Sequence, residues 1–237
     1  MNVLITICAR AKSSRLPGKN TRMLHGKPLF KWTFDVAQKM PYQVVVSSDD
    51  DTILASAKFD YNFQIIRRPA HLDDVGKIAQ IRDALIIMEH QTGKEYWKVV
   101  DLDITNPMRT VDDVEDCIKE SGGGVLVSVT NARKNPYFNQ IPKQEYPEDM
   151  IEITKMGGPI EFIKSQNAPK VYDLNACIYV YGREFLLSGA TSPINEKTLI
   201  HVMPDHTFCD IDTDLDFRIV DFLMKEYGYV ETTKAEA

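Results

Sequence analysis

Short apolar runs alternate with amphipathic segments along most of this chain of 237 residues, and no other feature constrains its fold as strongly. The first run, NVLITIC at 2–8, is apolar on both faces, as expected of a central strand covered by helices. Segment 27–40 then places Leu29, Val36 and Met40 at helical spacing. This alternation predicts βαβ crossovers and a mainly parallel sheet.

The same rhythm continues toward the carboxyl end. Further strands are predicted at 43–48, 63–66, 96–104, 124–129 and 174–182, and further helices at 49–59, 75–90, 110–121 and 213–228. A proline-rich stretch at 131–170 interrupts the pattern and predicts an inserted lid or dimerisation arm. We therefore expect one three-layer, Rossmann-like α/β domain over 1–230, with 231–237 as a flexible tail.

Composition excludes several classes of protein. A net charge of -6 and a pI near 5.4 argue against a general nucleic-acid binder. No stretch approaches the roughly 18 apolar residues of a membrane span, and the short apolar run at 2–8 predicts a buried strand rather than a signal peptide. The four cysteines form no C-x-x-C pair, which favours reduced thiols in the cytoplasm over a zinc site.

The loop after the first strand concentrates positive charge although the chain as a whole is acidic. Its cations are Arg10, Lys12, Arg15, Lys19 and Arg22. Ligands of open α/β sheets bind beyond the carboxyl ends of the strands, where this loop lies, and such side chains bind phosphate oxygens. No G-x-x-x-x-G-K-[ST] or G-x-G-x-x-G motif is present. Two interpretations remain, a nucleoside triphosphate site and a solvated basic loop paired with surface acids.

Paired carboxylates occur near the other end of the chain. Asp210 and Asp212 are two residues apart in FCDIDTDLDF, and in extended backbone such residues point to the same side. Two carboxylates so placed can share one Mg²⁺, whose remaining ligands are water and phosphate oxygens. The alternative is that Asp212 or Asp214 only caps the closing helix. For Asp49–Asp51, a solvated helix start weighs at least as much as a nucleotide-site role.

A resemblance to a known family rests on eight segments in order. ARAKSSRLPGKN at 9–20 resembles the A-R-G-G-S-K-G-[IL]-P-G-K-N signature of the acylneuraminate cytidylyltransferases, which are related to the CMP-Kdo synthetases. The other segments similar to the family are GKPLFKWTFDVA, VVVSSDDDTI, RRPAHLDD, ITNPMRTVDDVEDCI, SVTNARKNPYF, LNACIYVY and DIDTDLDF. The resemblance implies a nucleotidyltransferase fold of GT-A-like plan, a homodimer, and CTP-dependent activation of a 2-keto sugar acid for surface glycan synthesis.

The resemblance also implies roles for individual residues. The implied nucleotide-binding residues are Ala9, Arg10, Ser13, Lys19, Asn20 and Arg68. Arg10, Lys19, Asp210 and Asp212 are the implied catalytic residues, with Mg²⁺ as the cofactor on Asp210 and Asp212. The implied sugar-acid-binding residues are Asp103, Thr105, Lys164, Gln166, Asn175 and Tyr179. CTP and the sugar acid are thus the expected partners, with neither nucleic acid nor membrane.

Several departures from the family pattern fall on the sugar-acid side. Asp103 stands where the family has glutamine, Lys164 and Ser165 fall where it has arginine, and Ala176 replaces its glycine. Lys77 stands where the family tends to have a serine near the nucleotide. The particular sugar acid therefore stays open, with sialic, legionaminic, pseudaminic and Kdo-like acids as alternatives. Two rival functions also stay open. One is a nucleotidyltransferase with another acceptor or nucleotide, and the other is a GT-A-type sugar-nucleotide-binding protein that uses the D-x-D pair Asp101 and Asp103.

Overall fold

The structure is a computed structural model that describes residues 2–11, 13, 15–68, 76–136, 140 and 168–230. The strands in this part of the chain are β1 (Val3–Ala9), β2 (Met23–Leu24), β3 (Lys27–Pro28), β4 (Gln43–Ser48), β5 (Gln64–Arg67), β6 (Lys98–Leu102), β7 (Val125–Asn131), β8 (Tyr172–Gly182) and β9 (Leu199–Val202). The helices are α1 (Leu29–Gln38), α2 (Asp51–Phe59), α3 (Lys77–Thr92), α4 (Val111–Glu120), α5 (Arg183–Leu187) and α6 (Asp214–Glu226).

Seven strands form one sheet in the order β5-β4-β1-β6-β8-β7-β9. The pairs β4–β5, β1–β4, β1–β6 and β7–β9 are parallel, whereas β8 runs antiparallel to both β6 and β7. The mainly parallel α/β sheet predicted from the sequence is confirmed. Because β1, β4 and β6 are parallel, the loops that follow them meet at one edge of the sheet.

Helices cover both faces of the sheet, which gives the predicted three layers. Along β1 the side chains alternate, so that Ile5 and Ile7 pack in one apolar cluster with α1, α2, α4 and α6. Leu4 belongs to a second cluster, with Ile81 and Leu85 of α3 and Leu186 of α5. This burial on both sides explains why the first strand is apolar throughout. Within the described residues, no helix combines the length and apolar character that a bilayer crossing requires.

The predicted elements agree with the structure to within a few residues at their ends. The strand predicted at 43–48 is β4, and the closing helix begins after Thr213, whose hydroxyl accepts from the N–H of Asp216. Strand β9 and helix α5 were not predicted, because β9 is an edge strand whose side chains are half exposed and α5 is a single short turn. Most of 131–170 and all of 231–237 lie outside the described residues, so the inserted arm and the tail stay predictions.

Ala176 lies in β8 with a backbone φ of 50°. That left-handed conformation costs a residue with a Cβ roughly 1–2 kcal/mol, whereas glycine adopts it freely. We therefore expect Ala176→Gly to raise the free energy of unfolding by about 0.5–1 kcal/mol, after the larger chain entropy of unfolded glycine is subtracted. Urea unfolding followed by circular dichroism measures the change.

Ala55 is the matched control, since it is exposed in the interior of α2. Ala55→Gly should lower the free energy of unfolding by about 1 kcal/mol, because glycine is a poor helix former. The two alanine-to-glycine changes thus have opposite expected signs. A loss of stability in Ala176→Gly would show that residue 176 is not strained.

Candidate active site

The cationic loop leaves the carboxyl end of β1 and is folded back on neighbouring elements. Gly18 has a φ of 68°, which a side chain would disfavour, and it opens a 3-10 turn over Lys19–Thr21. The amide of Asn20 donates to the carbonyl of Arg10 over 3.0 Å, and the N–H of Ala11 donates to Asp49 over 2.7 Å. The loop is therefore fixed by hydrogen bonds at both of its ends, and the side chain of Lys19 is buried.

The carboxylate pair follows a 3-10 turn at Asp205–Phe208. Ile211 lies between the two carboxylates, with its side chain fully buried and its N–H donating to the carbonyl of Thr105 over 2.9 Å. That bond holds the pair beside the loop that follows β6. The alternative in which Asp212 or Asp214 caps the closing helix is wrong, because Thr213 is the N-cap and forms a capping box with Asp216.

The cationic loop and the carboxylate pair are in direct contact. The ammonium of Lys19 lies 3.1 Å from Asp212 Oδ1 and 2.5 Å from the carbonyl oxygen of Ile211. The guanidinium of Arg15 lies 2.6 Å from Asp212 Oδ2. Groups from opposite ends of the chain thus meet at one point of the sheet edge.

Around this contact lies a cleft of about 290 Å³ at the carboxyl ends of β1 and β6. It is lined by Cys8, Ala9, Arg10, Ser13, Arg15, Lys19, Asn20, Gly76, Lys77, Gln80, Asp103, Ile104, Thr105, Asp210 and Asp212. Nine of the residues predicted for the site are in this lining. A larger cavity of about 570 Å³, lined by Asn2, Tyr42 and Tyr96 among others, contains none of them. The smaller cleft is the candidate site, because ligands of such sheets bind at the carboxyl ends of the strands.

Asp210 has the chemistry of an incomplete cation site. Its Oδ1 is buried and has no hydrogen-bond partner among the described residues. Burial raises the pKa of Asp210, and the like charges of Asp103 and Asp212 raise it further. A buried carboxylate oxygen without a partner is unfavourable, and a divalent cation held with Asp212 would satisfy it. No group of three His, Cys, Asp or Glu side chains suited to a metal occurs in the described part of the chain, so such a cation would need ligands from a substrate or water.

A second charged cluster lies on the floor of the cleft. The ammonium of Lys77 is 2.7 Å from Asp101 and 2.5 Å from Asp103. Asp101 is fully buried and also accepts from the hydroxyl of Thr6 over 2.9 Å. The D-x-D interpretation is therefore disfavoured, because the ammonium of Lys77 lies where a shared metal would bind.

Comparisons with known proteins identify the family of this chain. A family model described as "Cytidylyltransferase" matches residues 4–108. The CMP-N,N'-diacetyllegionaminic acid synthase of Campylobacter jejuni subsp. jejuni serotype O:2 is 34% identical over 230 residues, which cover 94% of each chain. The post-translational flagellin modification protein B of Campylobacter coli is 33% identical over 232 residues, 94% of this chain and 95% of that one. The chain belongs to the cytidylyltransferase family. The family predicted from the sequence motifs is confirmed, and the protein is a nucleotidyltransferase.

A solved structure supports the fold of this cytidylyltransferase. The CMP:2-keto-3-deoxy-manno-octonic acid synthetase in complex with CTP superposes with a TM-score of 0.64 at 19% identity, covering 96% of this chain and 100% of that one. Sequence identity at that level carries the fold alone. The superposition therefore confirms the predicted α/β fold.

Some predicted site residues of the cytidylyltransferase lie outside the lining of the cleft. Arg68 is buried behind it, where its guanidinium donates to Gln80 over 2.9 Å and pairs with Asp49 at 3.2 Å. Asn175 is fully buried, and its amide bonds Ser128, Thr207 and the sulfur of Met203. Tyr179 is adjacent, with its ring centroid 5.7 Å from the ammonium of Lys77. Lys164 and Gln166 fall outside the described residues.

Sequence reasoning assigned no role to two cations that line the cleft. Arg15 was one of several loop cations, and only its contact with Asp212 distinguishes it. Lys77 was noted as a departure from the family pattern, without a partner. Its partners Asp101 and Asp103 form a D-x-D pair at the end of a predicted strand, and a lysine at the start of the helix that precedes this strand was the available signal. For Asp49–Asp51, the helix-start interpretation is confirmed for Asp50, whose carboxylate accepts from the N–H groups of Thr52 and Ile53.

Proposed function

We propose that this cytidylyltransferase transfers CMP from CTP to the anomeric hydroxyl of a 2-keto sugar acid of the nonulosonic type and releases pyrophosphate. The observation that carries the proposal is the contact of Lys19 and Arg15 with Asp212 in one cleft. Cations for a triphosphate and a carboxylate pair for a divalent metal are there within reach of a single nucleotide. The Campylobacter jejuni relative, named a CMP-N,N'-diacetyllegionaminic acid synthase, supports the class of acceptor.

The phosphates are assigned to the first loop. Arg10 and Lys19 offer charge-assisted hydrogen bonds to phosphate oxygens, and Arg15 adds a third cation. Ser13 and Asn20 line the same wall and suit the rest of the nucleotide, together with the backbone of Ala9. Arg68 supports the loop indirectly. It forms an ion pair with Asp49, and Asp49 accepts a hydrogen bond from the backbone N–H of Ala11.

Asp210 and Asp212 would hold the cofactor, for which we propose Mg²⁺. When bound with the nucleotide, such a cation offsets phosphate charge and lowers the pKa of the attacking hydroxyl. Lys19 and Arg15 form ion pairs with Asp212. An incoming triphosphate would draw those two cations to its own oxygens and leave the carboxylate free to accept the metal. Lys19 and Arg15 would thus exchange Asp212 for the phosphate oxygens as their partner.

Transfer is proposed to be direct, from CTP to the sugar acid. The oxygen of the sugar hydroxyl attacks the α-phosphorus and the hydroxyl proton passes to water. The bond to the bridging oxygen breaks, and pyrophosphate departs with that electron pair while Lys19, Arg15 and Arg10 stabilise its charge. The only nucleophilic thiol that lines the cleft in the described part of the chain is that of Cys8. Burial, reinforced by the charge of Asp101, raises its pKa far above neutrality, so it stays protonated and unsuited to a covalent intermediate.

The biological setting belongs to the same proposal. We place the protein in the cytoplasm as a homodimer that supplies a CMP-sugar for surface glycans. The flagellin modification named for the Campylobacter coli relative is consistent with that setting. The dimer rests on the family resemblance of the 131–170 segment.

A pyrophosphate-release screen tests the proposed reaction. Four nucleoside triphosphates are combined with a panel of 2-keto sugar acids that includes legionaminic, sialic, pseudaminic and Kdo-type acids, with Mg²⁺ or with EDTA. We expect release only with CTP, Mg²⁺ and at least one nonulosonic acid, with the CMP-sugar identified by mass spectrometry. Release with another nucleotide, or with Kdo alone, would favour the rival nucleotidyltransferase. A nucleotide sugar is tested in parallel. Its hydrolysis, without any pyrophosphate release from CTP, would favour the GT-A-type sugar-nucleotide-binding protein.

A further inference from the structure

Lys77 occupies an electrostatically unfavourable position. It is the first residue of α3, and the positive end of a helix macrodipole disfavours a cation there. Two carboxylates offset that charge, one at the end of β6 and one just beyond it. Asp101 is fully buried, while the side chains of Lys77 and Asp103 are 34% and 21% exposed and line the cleft. A pair that is partly exposed inside a cleft remains available to a ligand.

Asp103 is fixed but not saturated by its protein partners. Its Oδ1 accepts from the N–H of Thr105 over 3.2 Å and from the hydroxyl of Thr105 over 3.0 Å, and its Oδ2 accepts from Lys77. An ionised carboxylate offers about four lone-pair positions, so at least one acceptor position remains. Burial alone would raise the pKa of Asp103, but Lys77 and the Thr105 donors outweigh it and bring that pKa to about 2. The group is therefore a permanent acceptor at neutral pH.

Thr105 joins this pair to the proposed reaction centre. Its hydroxyl donates to Asp103, and its backbone carbonyl accepts from the N–H of Ile211, which lies between Asp210 and Asp212. Asp103 is thus one residue away from the segment whose carboxylates are proposed to hold the metal. A substrate group that contacts Asp103 lies next to the place where the attacking hydroxyl and the α-phosphate must meet.

We propose that Lys77 and Asp103 together determine specificity for the sugar acid: Asp103 accepts a hydrogen bond from a hydroxyl or N–H group of that substrate, and Lys77 is the positioning residue that holds the carboxylate in place. This inference rests on the proposed function and deepens it. The chemical class that fits is a polyhydroxylated acid, with or without amide-bearing carbons, because each hydroxyl or amide N–H donates a hydrogen bond.

The charge of the pair explains why the acceptor is favoured over the triphosphate. Asp101, Asp103 and Lys77 together carry one net negative charge, which repels phosphate oxygens. The cations proposed to bind phosphate, Arg10, Arg15 and Lys19, lie in the first loop. CTP also carries donors, the amino group of cytosine and the ribose hydroxyls, and the test below separates CTP from the sugar acid.

The test uses the full-length protein and changes the pair without stranding a buried charge. Lys77→Met alone would leave Asp101 buried and unpaired, which threatens folding. The double variant Lys77→Met/Asp101→Asn removes both charges of the buried ion pair at similar volume and leaves Asp103 without its ammonium. Lys77→Arg restores the charge. Lys31→Met is the matched control, because Lys31 lies on α1, outside the cleft, and forms an ion pair with Asp60.

Steady-state pyrophosphate release then gives KM for each substrate. In the double variant we expect the KM for the sugar acid to rise about tenfold or more, the loss that follows when one charge-assisted hydrogen bond is weakened. The KM for CTP should stay within about twofold, and so should the calorimetric affinity for CTP with Mg²⁺. Asp103→Asn should raise the KM for the sugar acid in the same way, Lys77→Arg should recover most of it, and Lys31→Met should change neither KM.

Each other result is decisive. If the double variant melts like the wild type and keeps its KM for the sugar acid, the pair plays no part in specificity. If the KM for CTP rises instead, the pair contacts CTP and the inference is overturned. A wild-type protein that releases no pyrophosphate with any acid overturns the proposed function itself, which distinguishes that failure from the failure of Lys77 and Asp103 alone.

Discussion

Asp212→Asn is expected to lower turnover by about 10²–10³-fold, because it removes one of two carboxylates proposed to hold the metal at the reacting phosphate. The amide has the same shape but no charge, so Lys19 and Arg15 also lose their ion-pair partner. The side chain is partly exposed, and the free energy of unfolding should change by less than about 1 kcal/mol. Pyrophosphate release at saturating CTP and sugar acid measures the first effect, and urea unfolding measures the second.

Asp214→Asn is the matched control for that variant. Asp214 lies two residues further on, is largely exposed and pairs with Arg22 outside the cleft. Its replacement should leave turnover within about twofold of the wild type. Mg²⁺ with CTP should raise the melting temperature of the wild type and of Asp214→Asn, but much less that of Asp212→Asn. Near-normal turnover in Asp212→Asn would remove its role in catalysis.

Gly182→Ala is expected to destabilise the fold by about 3 kcal/mol or more, which is among the largest effects of a single methyl group. A Cβ built on Gly182 would lie 1.9 Å from the carbonyl oxygen of Gly123. Both partners are backbone, and the N–H of Gly182 donates to the carbonyl of Gly124 over 2.7 Å, so neither can withdraw without breaking the ladder. The clash lies at the end of β8, where β8 meets the chain that enters β7. The midpoint of urea unfolding reports the loss.

Gly124→Ala tests whether glycine loss in general causes that effect. An added Cβ at Gly124 meets no atom within 4 Å. We expect this variant to unfold within about 0.5 kcal/mol of the wild type. Equal stability of the two variants would mean that the chain near Gly123 yields easily, contrary to the packing described above.

Much of the fold was predictable because its signals are local. Strand β4 coincides with the predicted run QVVVSS, since β-branched residues bounded by polar ones specify a buried strand. The closing helix was predicted to start at residue 213, and Thr213 caps it through bonds within its own turn. The loop cations and the carboxylate pair were each recognisable in the same way. That they belong to one site followed only from the family resemblance and from the rule that ligands bind at the carboxyl edge of the sheet.

The remainder depends on contacts that no local pattern encodes. The ion pairs of Lys77 require β6 and the start of α3 to be neighbours, and they place an ammonium between the two carboxylates of an apparent D-x-D metal motif. Asn175 follows a family pattern, yet the structure uses its amide to join β7, β8 and the turn at Asp205–Phe208. Periodicity gave no sign of β9, because an exposed edge strand has no buried face to impose alternation.

The register of β7 and β8 has a consequence for how such proteins diversify. Asn131 is paired with Tyr172, and the N–H of Ala132 bonds the carbonyl of Val171, so the chain departs from the sheet and returns to it side by side. Doubling the length of a connection whose ends are already adjacent costs only about 0.6 kcal/mol in closure entropy. Natural variation can therefore lengthen, shorten or exchange this connection while the cleft at the ends of β1 and β6 stays as it is.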